Sequence, residues 1–218
     1  ENAAETLWAD ADLTLDDLHI GLRDHLKAAH DISVRIMPID VLPGTTWRLD
    51  RHSRRLFLSE VLNAPSRTFQ LALHAGLLGY RGLIDEMVSR TGLQGDEAKQ
   101  LCRLGLANYF AGAVTMPYER FQTAADKLRY DIDLLCQRFS ASYEQTSHRL
   151  TTLQRPGSKG VPFFFLRVDH AGNISKRFSA SGFHFARFGG TCPRWNIHEA
   201  FRTPDKIIPQ IVEMEDGT

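Results

Sequence analysis

Apolar positions recur every three to four residues through most of the chain and every second residue in a few short runs, which predicts helices joined by small sheets. Leu15, Leu18, Leu22 and Leu26 mark one helical face that runs to about Ala29. Thr14 followed by Asp17 reads as a capping box at its start. The acidic, weakly patterned residues 1–13 predict a frayed lead-in. Ile32, Val34 and Ile36 alternate with Ser33 and Arg35, a strand closed by Pro38. Trp47 and Leu49, then Leu56 and Leu58, predict a hairpin connected by Arg51-His52-Ser53-Arg54. Pro65-Ser66 opens a helix with Phe69, Leu73, Gly76 and Tyr80 on one face, and Gly82 to Ser89 continues or restarts it. After a loop at 91–95, Asp96 caps a long helix that reaches Met116 and stops at Pro117, which has no N–H to donate. Phe121 to Arg138 reads as a fourth helix. Ser140 or Ser142 starts a fifth, ending near Leu153.

Arg155-Pro156-Gly157-Ser158-Lys159-Gly160 breaks the pattern and is expected to be a linker between residues 1–154 and 161–218. Beyond it the texture changes. Val161 to Val168 predicts a buried strand, Asp169 to Asn173 a turn, and Ile174 to Phe178 the start of another strand. Thr191 to Phe201 is expected to be helical in part, and Ile207 to Met214 a further strand.

Charge narrows the function. The chain has 26 Lys and Arg against 26 Asp and Glu, a net charge of zero that excludes a general polyanion binder. With 43% hydrophobic residues it is not a disordered polar chain. No apolar run approaches the roughly 20 residues that span a bilayer. No signal peptide is visible, no Met precedes Glu1, and Glu215-Asp216-Gly217-Thr218 reads as a turn leading into another strand. These features predict a piece of a longer cytoplasmic protein. Cys102, Cys136 and Cys192 are too few and too scattered for a disulfide framework.

The order of strand, hairpin, histidine-bearing helix and later helix ending in Met116-Pro117 resembles the IrrE/ImmA family of zinc peptidase-like domains. Their HExxH motif places two histidines one helical turn apart to grip zinc, with the glutamate as base for the attacking water. Here the helix reads His74-Ala75-Gly76-Leu77-Leu78, and the downstream glutamate position before Ala107-Asn108 is Leu106. The first histidine survives; the base is Ala75 and the second ligand Leu78. One imidazole cannot hold a catalytic zinc, so no peptidase activity is expected, and His74 reads as a core or pocket histidine rather than a ligand. What remains is an apolar position suited to a small molecule.

Further stretches sharpen the likeness: Leu106-Ala107-Asn108-Tyr109-Phe110-Ala111-Gly112, Leu153-Gln154-Arg155-Pro156-Gly157 with Val161-Pro162-Phe163-Phe164-Phe165, and Phe183-His184-Phe185-Ala186-Arg187 followed by Gly189-Gly190-Thr191-Cys192-Pro193-Arg194-Trp195-Asn196. In these the whole chain resembles the short-chain fatty acid transcriptional regulator family. The resemblance implies an α+β architecture: a mainly helical, zincin-like IrrE-type domain with a small sheet, then part of an α+β domain of GAF or PAS type. It implies a non-enzymatic sensor that binds coenzyme A or a short acyl-coenzyme A of propionate or acetate metabolism. DNA would be bound through an N-terminal domain outside this chain, and a homo-oligomer is expected.

Coenzyme A carries a pyrophosphate and a ribose phosphate, which call for arginine forks. Arg51, Arg54 and Arg55 around the hairpin and Arg23 on the first helix are the candidates, beside His74 and Tyr109. The hairpin arginines are otherwise a solvated turn, and Tyr109 is otherwise a core aromatic with its hydroxyl paired. The resemblance also makes Cys192 one ligand of a 4Fe–4S cluster in the full-length protein. Such clusters take four thiolates, so the others would come from beyond Thr218. Arg138 to Leu150 resembles the turn and second helix of a helix-turn-helix, with packing favoured over DNA reading. The alternative function is an enzyme, a residual metallohydrolase or an acyl-coenzyme A thioesterase.

Overall fold

Ala4, Leu7 and Trp8 fall on one helical face, and that face decides what happens to the N-terminal residues. In the computed structural model, which describes residues 1–179 and 197–209, they do not fray. They form helix α1 (Asn2–Asp10), with all three side chains buried. The Trp8 indole N–H donates to the Val114 carbonyl at 2.8 Å, which pairs the one polar atom that burial would otherwise orphan. The described residues divide into two compact units, Glu1–Gly160 and Val161–Thr218.

In the first unit, α2 (Leu18–His30) buries Leu18, Leu22 and Leu26. Thr14 does not cap it. The Thr14 hydroxyl accepts from the Asp17 N–H in a preceding turn, and Asp17 is the N-cap residue. Strands β1 (Ser33–Met37), β2 (Trp47–Asp50) and β3 (Arg55–Ser59) form a sheet in the order β1-β3-β2, with β1 parallel and β2 antiparallel to β3. The register aligns Val34 with Leu56 and Leu49, and Ile36 with Leu58 and Trp47. Leu56 and Leu58 lie in the core, so these rows face the helices; Arg35, Phe57 and Arg48 form a row on the opposite face.

The Asn63 side chain caps α3 (Ala64–Gly79) by accepting from the Ser66 N–H at 2.9 Å, and Pro65 sits in the first turn, where its missing N–H costs nothing. The helix restarts as α4 (Arg81–Arg90). Helix α5 (Asp96–Thr115) begins after Gly95 at φ 84°, so Gly95 rather than Asp96 is its N-cap residue. Helices α2 and α5 pack on α3, and α1 packs on α5.

The expected single helix from Phe121 to Arg138 is two, α6 (Tyr118–Lys127) and α7 (Ile132–Phe139). Arg129 and Tyr130 take positive φ of 52° and 60° between them, and the Asp131 carboxylate starts α7 by accepting from the Leu134 N–H. Helix α8 (Tyr143–Thr151) opens on a capping box between Ser142 and Gln145. Gln145 is thus committed to its own helix start, and Thr146, Arg149 and Leu150 are buried, which makes α7 and α8 a packed pair.

Residues 155–160, expected to be a linker, are held on the first unit. The Tyr118 hydroxyl donates to the Ser158 carbonyl and accepts from the Arg155 N–H, both at 2.8 Å, and the Gly160 N–H donates to the Leu153 carbonyl at 2.9 Å. In the second unit, β4 (Phe164–Val168) pairs antiparallel with β5 (Ile174–Ser179). The Asp169 carboxylate closes the turn by accepting from the Ala171 and Asn173 N–H groups. Strand β4 starts three residues later than the apolar run suggests. A four-residue helix spans Ile197–Ala200. Residues 207–209 form no strand, and the rest of the strand expected to reach Met214 lies outside the described residues.

Candidate functional site

The HExxH-like turn lies near the middle of α3, against the sheet on one side and α5 on the other. His74 is fully buried. Its Nδ1 lies 2.7 Å from the Gln70 carbonyl, and a carbonyl only accepts, so Nδ1 carries the proton. Nε2 is therefore a lone-pair acceptor, and it is shut from solvent with no partner among the described residues. The ring sits edge-on to Trp47 of β2, with centroids 4.7 Å apart. Burial lowers its pKa, with the Gln70 hydrogen bond opposing. The imidazole is neutral near pH 7.

Around it the neighbouring positions are apolar. Ala75 is buried in the core cluster, and Leu77, Leu78 and Leu106 are half-buried against it. Helices α3 and α5 approach so closely at Gly76 that a Cβ there would lie 2.6 Å from Phe110. Among the described residues, no group of three or more His, Cys, Asp or Glu side chains is placed to hold a metal ion. The arrangement offers a neutral acceptor in an apolar setting.

The arginine candidates do not converge on His74. Arg51 and Arg54 lie in the β2–β3 turn, Arg54 pairing with Asp31 at 3.3 Å, and exposed Arg55 opens β3. Arg23, on α2, pairs with its neighbour Asp24 at 2.9 Å. Tyr109 is occupied elsewhere: its hydroxyl donates to the Glu1 carboxylate at 2.5 Å. Burial, then that carboxylate, pushes the Tyr109 phenol up to about 12. Cys192 lies outside the described residues; of the other thiols, Cys136 donates to the Thr146 hydroxyl at 3.2 Å.

A second polar cluster went unread in the sequence. Arg149 on α8 is 3% exposed. Its fork grips both Glu1 oxygens at 2.7 and 2.9 Å, while Nε donates to the Met116 carbonyl at 2.9 Å, where α5 stops. Burial alone would raise the Glu1 carboxyl, but the bond and charge of Arg149 outweigh it, and the pKa is lowered. Arg155 adds a bond to Glu5 at 2.6 Å and lies 4.5 Å over the Tyr118 ring. The signal was present in the spacing, because Arg149 shares the buried stripe of Thr146, Leu150 and Leu153.

Residues 28–151 match the IrrE N-terminal-like domain, and residues 152–218 match the C-terminal part of the short-chain fatty acyl coenzyme A regulators. The chain is 44% identical over 216 residues to the HTH-type transcriptional regulator PrpR of Mycobacterium tuberculosis, covering 99% of this chain and 44% of PrpR. It is 43% identical over 217 residues to RamB of the same species, covering 100% of this chain and 46% of RamB. With the propionyl-CoA carboxylase regulator of Cereibacter sphaeroides it shares 42% over 217 residues, 100% of this chain and 45% of that protein. The chain thus spans somewhat under half the length of these relatives. A solved structure of a Mycobacterium tuberculosis transcriptional regulator superposes with a TM-score of 0.91 at 42% identity, covering 99% of this chain and 65% of the other.

Proposed function

The chain belongs to the IrrE N-terminal-like domain family, and on that premise we propose that it is the ligand-sensing core of a transcriptional regulator of short-chain fatty acid metabolism. It binds coenzyme A or a short acyl-coenzyme A and does not turn it over. One observation carries the reading: the peptidase position keeps a single buried imidazole while Ala75, Leu78 and Leu106 stand where a base and two ligands would be. Losing the base and two ligands removes water activation and leaves an apolar environment with one acceptor. The match of residues 152–218 to acyl-coenzyme A regulators supports that class of ligand. The name of the Cereibacter sphaeroides relative, a propionyl-CoA carboxylase regulator, supports a propionyl-coenzyme A context.

Such a sensor acts in the cytoplasm and reaches DNA through a separate domain. Its ligand must bind one conformation better than another, because equal affinity for both shifts nothing. Arg23 and Arg51 are proposed phosphate contacts. Isothermal titration of coenzyme A and propionyl-coenzyme A into the protein tests the reading. Saturable binding without thioester hydrolysis is expected. Hydrolysis that His74→Ala abolishes would replace the sensor with the enzyme, and failure to bind either ligand would overturn the sensor reading.

A further inference from the structure

Charge is segregated along a chain whose total is zero. Residues 1–17 hold six Asp and Glu and no Lys or Arg, whereas residues 33–55 hold five Arg against two Asp. All five arginines are exposed. Arg54 pairs with Asp31, and the Asp50 carboxylate is spent inside the β2–β3 turn, where it accepts from the His52 and Ser53 N–H groups and from the Ser53 hydroxyl. Arg35, Arg48 and Arg55 pair with no carboxylate among the described residues.

The sheet register puts these three on one face. Arg35, Phe57 and Arg48 form a row across β1, β3 and β2, and Arg55 precedes Phe57 by two residues on β3, so it points the same way. Leu56 and Leu58 alternate with them and enter the core, so the arginine face is turned away from His74 and α3. The Arg48 guanidinium lies 5.4 Å over the Phe57 ring, which holds that long side chain in place. Neighbouring strands lie about 4.8 Å apart, so Arg35 and Arg48 stand roughly 10 Å apart, with Arg55 about 7 Å along the strand from their row.

We propose that this outer sheet face is a contact for the phosphate backbone of duplex DNA, with Arg35, Arg48 and Arg55 each meeting one phosphate. It rests on the regulator reading above, which brings the chain beside DNA through a separate domain, and it adds a contact made by the sensor core itself. Along one DNA strand a charge recurs every ~3.4 Å, so about 10 Å of strand offers about three phosphates. A phenyl ring lies between Arg35 and Arg48, with no amide there to read a base edge, so the contact positions DNA without selecting sequence. A repeating polyanion meets such a face in any register, whereas the carboxylates of a folded partner have to be placed one by one. Zero net charge is no obstacle, because the acidic excess sits in residues 1–17 and not on this face.

The test is fluorescence anisotropy of two labelled duplexes of unrelated sequence, titrated with this chain at several salt concentrations. Wild type should bind both alike, with log K falling against log salt at a slope of about −2.7, about −0.9 for each of three phosphates. Arg35→Gln with Arg48→Gln should leave a slope of about −0.9. The thermal melt should not move, because both residues are exposed. Arg35→Lys with Arg48→Lys keeps the charge and should keep the slope. No binding by wild type at ~20 mM salt, or a slope that the glutamine pair leaves unchanged, overturns the contact. Binding of polyglutamate in preference to DNA assigns the face to an acidic protein and overturns it as well. So does a wild-type dimer that the glutamine pair splits, which would give the face to a second copy. Wild type that binds DNA in this way but takes up neither coenzyme A nor propionyl-coenzyme A fails the sensor reading and leaves the DNA contact standing.

Discussion

Arg149 is almost wholly out of solvent, so its charge has to be met inside the protein. Glu1, Met116 and Thr152 meet it with four hydrogen bonds. Breaking such a pair leaves a charge buried and unpaired, at about 3–5 kcal/mol. Arg149→Met should therefore lower the unfolding free energy by that order in urea melts, with the Glu1 carboxylate stranded. His74 is governed by solvation instead. Its folded pKa lies below the unfolded value of 6.5 because burial disfavours the imidazolium. Below that pH the unfolded chain takes up a proton that the folded chain refuses, so this contribution is present above pH 6.5 and fades as pH falls. His74→Leu should flatten stability against pH in the acid direction by up to about one proton. His19, His25 and His30 are lowered as well and keep part of the slope. An unchanged slope would mean that His74 is not shut from water. At this scale the sequence showed apolar residues at positions 75, 78 and 106. It did not show that Tyr109 and Glu1 would meet, because a contact 108 residues apart leaves no local pattern.

Helix α3 shows how a single missing side chain positions an element. Gly76 lets Phe110 of α5 lie against the α3 backbone, and Phe110 in turn packs on Tyr80 with centroids 4.8 Å apart. Gly76→Ala gains about 1 kcal/mol of helix propensity but forces an overpacking cost of about 1–3 kcal/mol. A net loss near 1 kcal/mol is expected in chemical denaturation, recovered when Phe110→Leu is added. The 3.6-residue period located most helices, and alternation located the hairpin. The break between α6 and α7 escaped because neither glycine nor proline marks it. Arg129 and Tyr130 hold left-handed φ there, and the Tyr130 hydroxyl is fixed to Asp126 at 2.8 Å. Arg129→Gly should relieve roughly 1 kcal/mol of backbone strain and raise the midpoint of a urea melt.

Composition marked residues 155–160 as a linker, but in the structure they are held on the first unit. Pro156, Gly157 and Ser158 turn the chain back over Tyr118, whose hydroxyl both donates and accepts there, and the Ser158 hydroxyl donates to Gln122 at 2.5 Å. Arg155 joins this strap to α1 through Glu5. A piece ending at 160 keeps all of these bonds, and a piece ending at 154 loses them. If the strap is worth about 2 kcal/mol, the shorter piece should melt roughly 4–8 °C lower, because each kcal/mol moves a chain of this size by about 2–4 °C. The same pair of pieces locates the ligand. The sheet, α3 and every proposed contact except Cys192 lie before residue 160, so the 1–160 piece should bind coenzyme A as the whole chain does. If that piece is folded but does not bind, the contacts that matter lie in 161–218, and the first unit is a support for a site carried by the second.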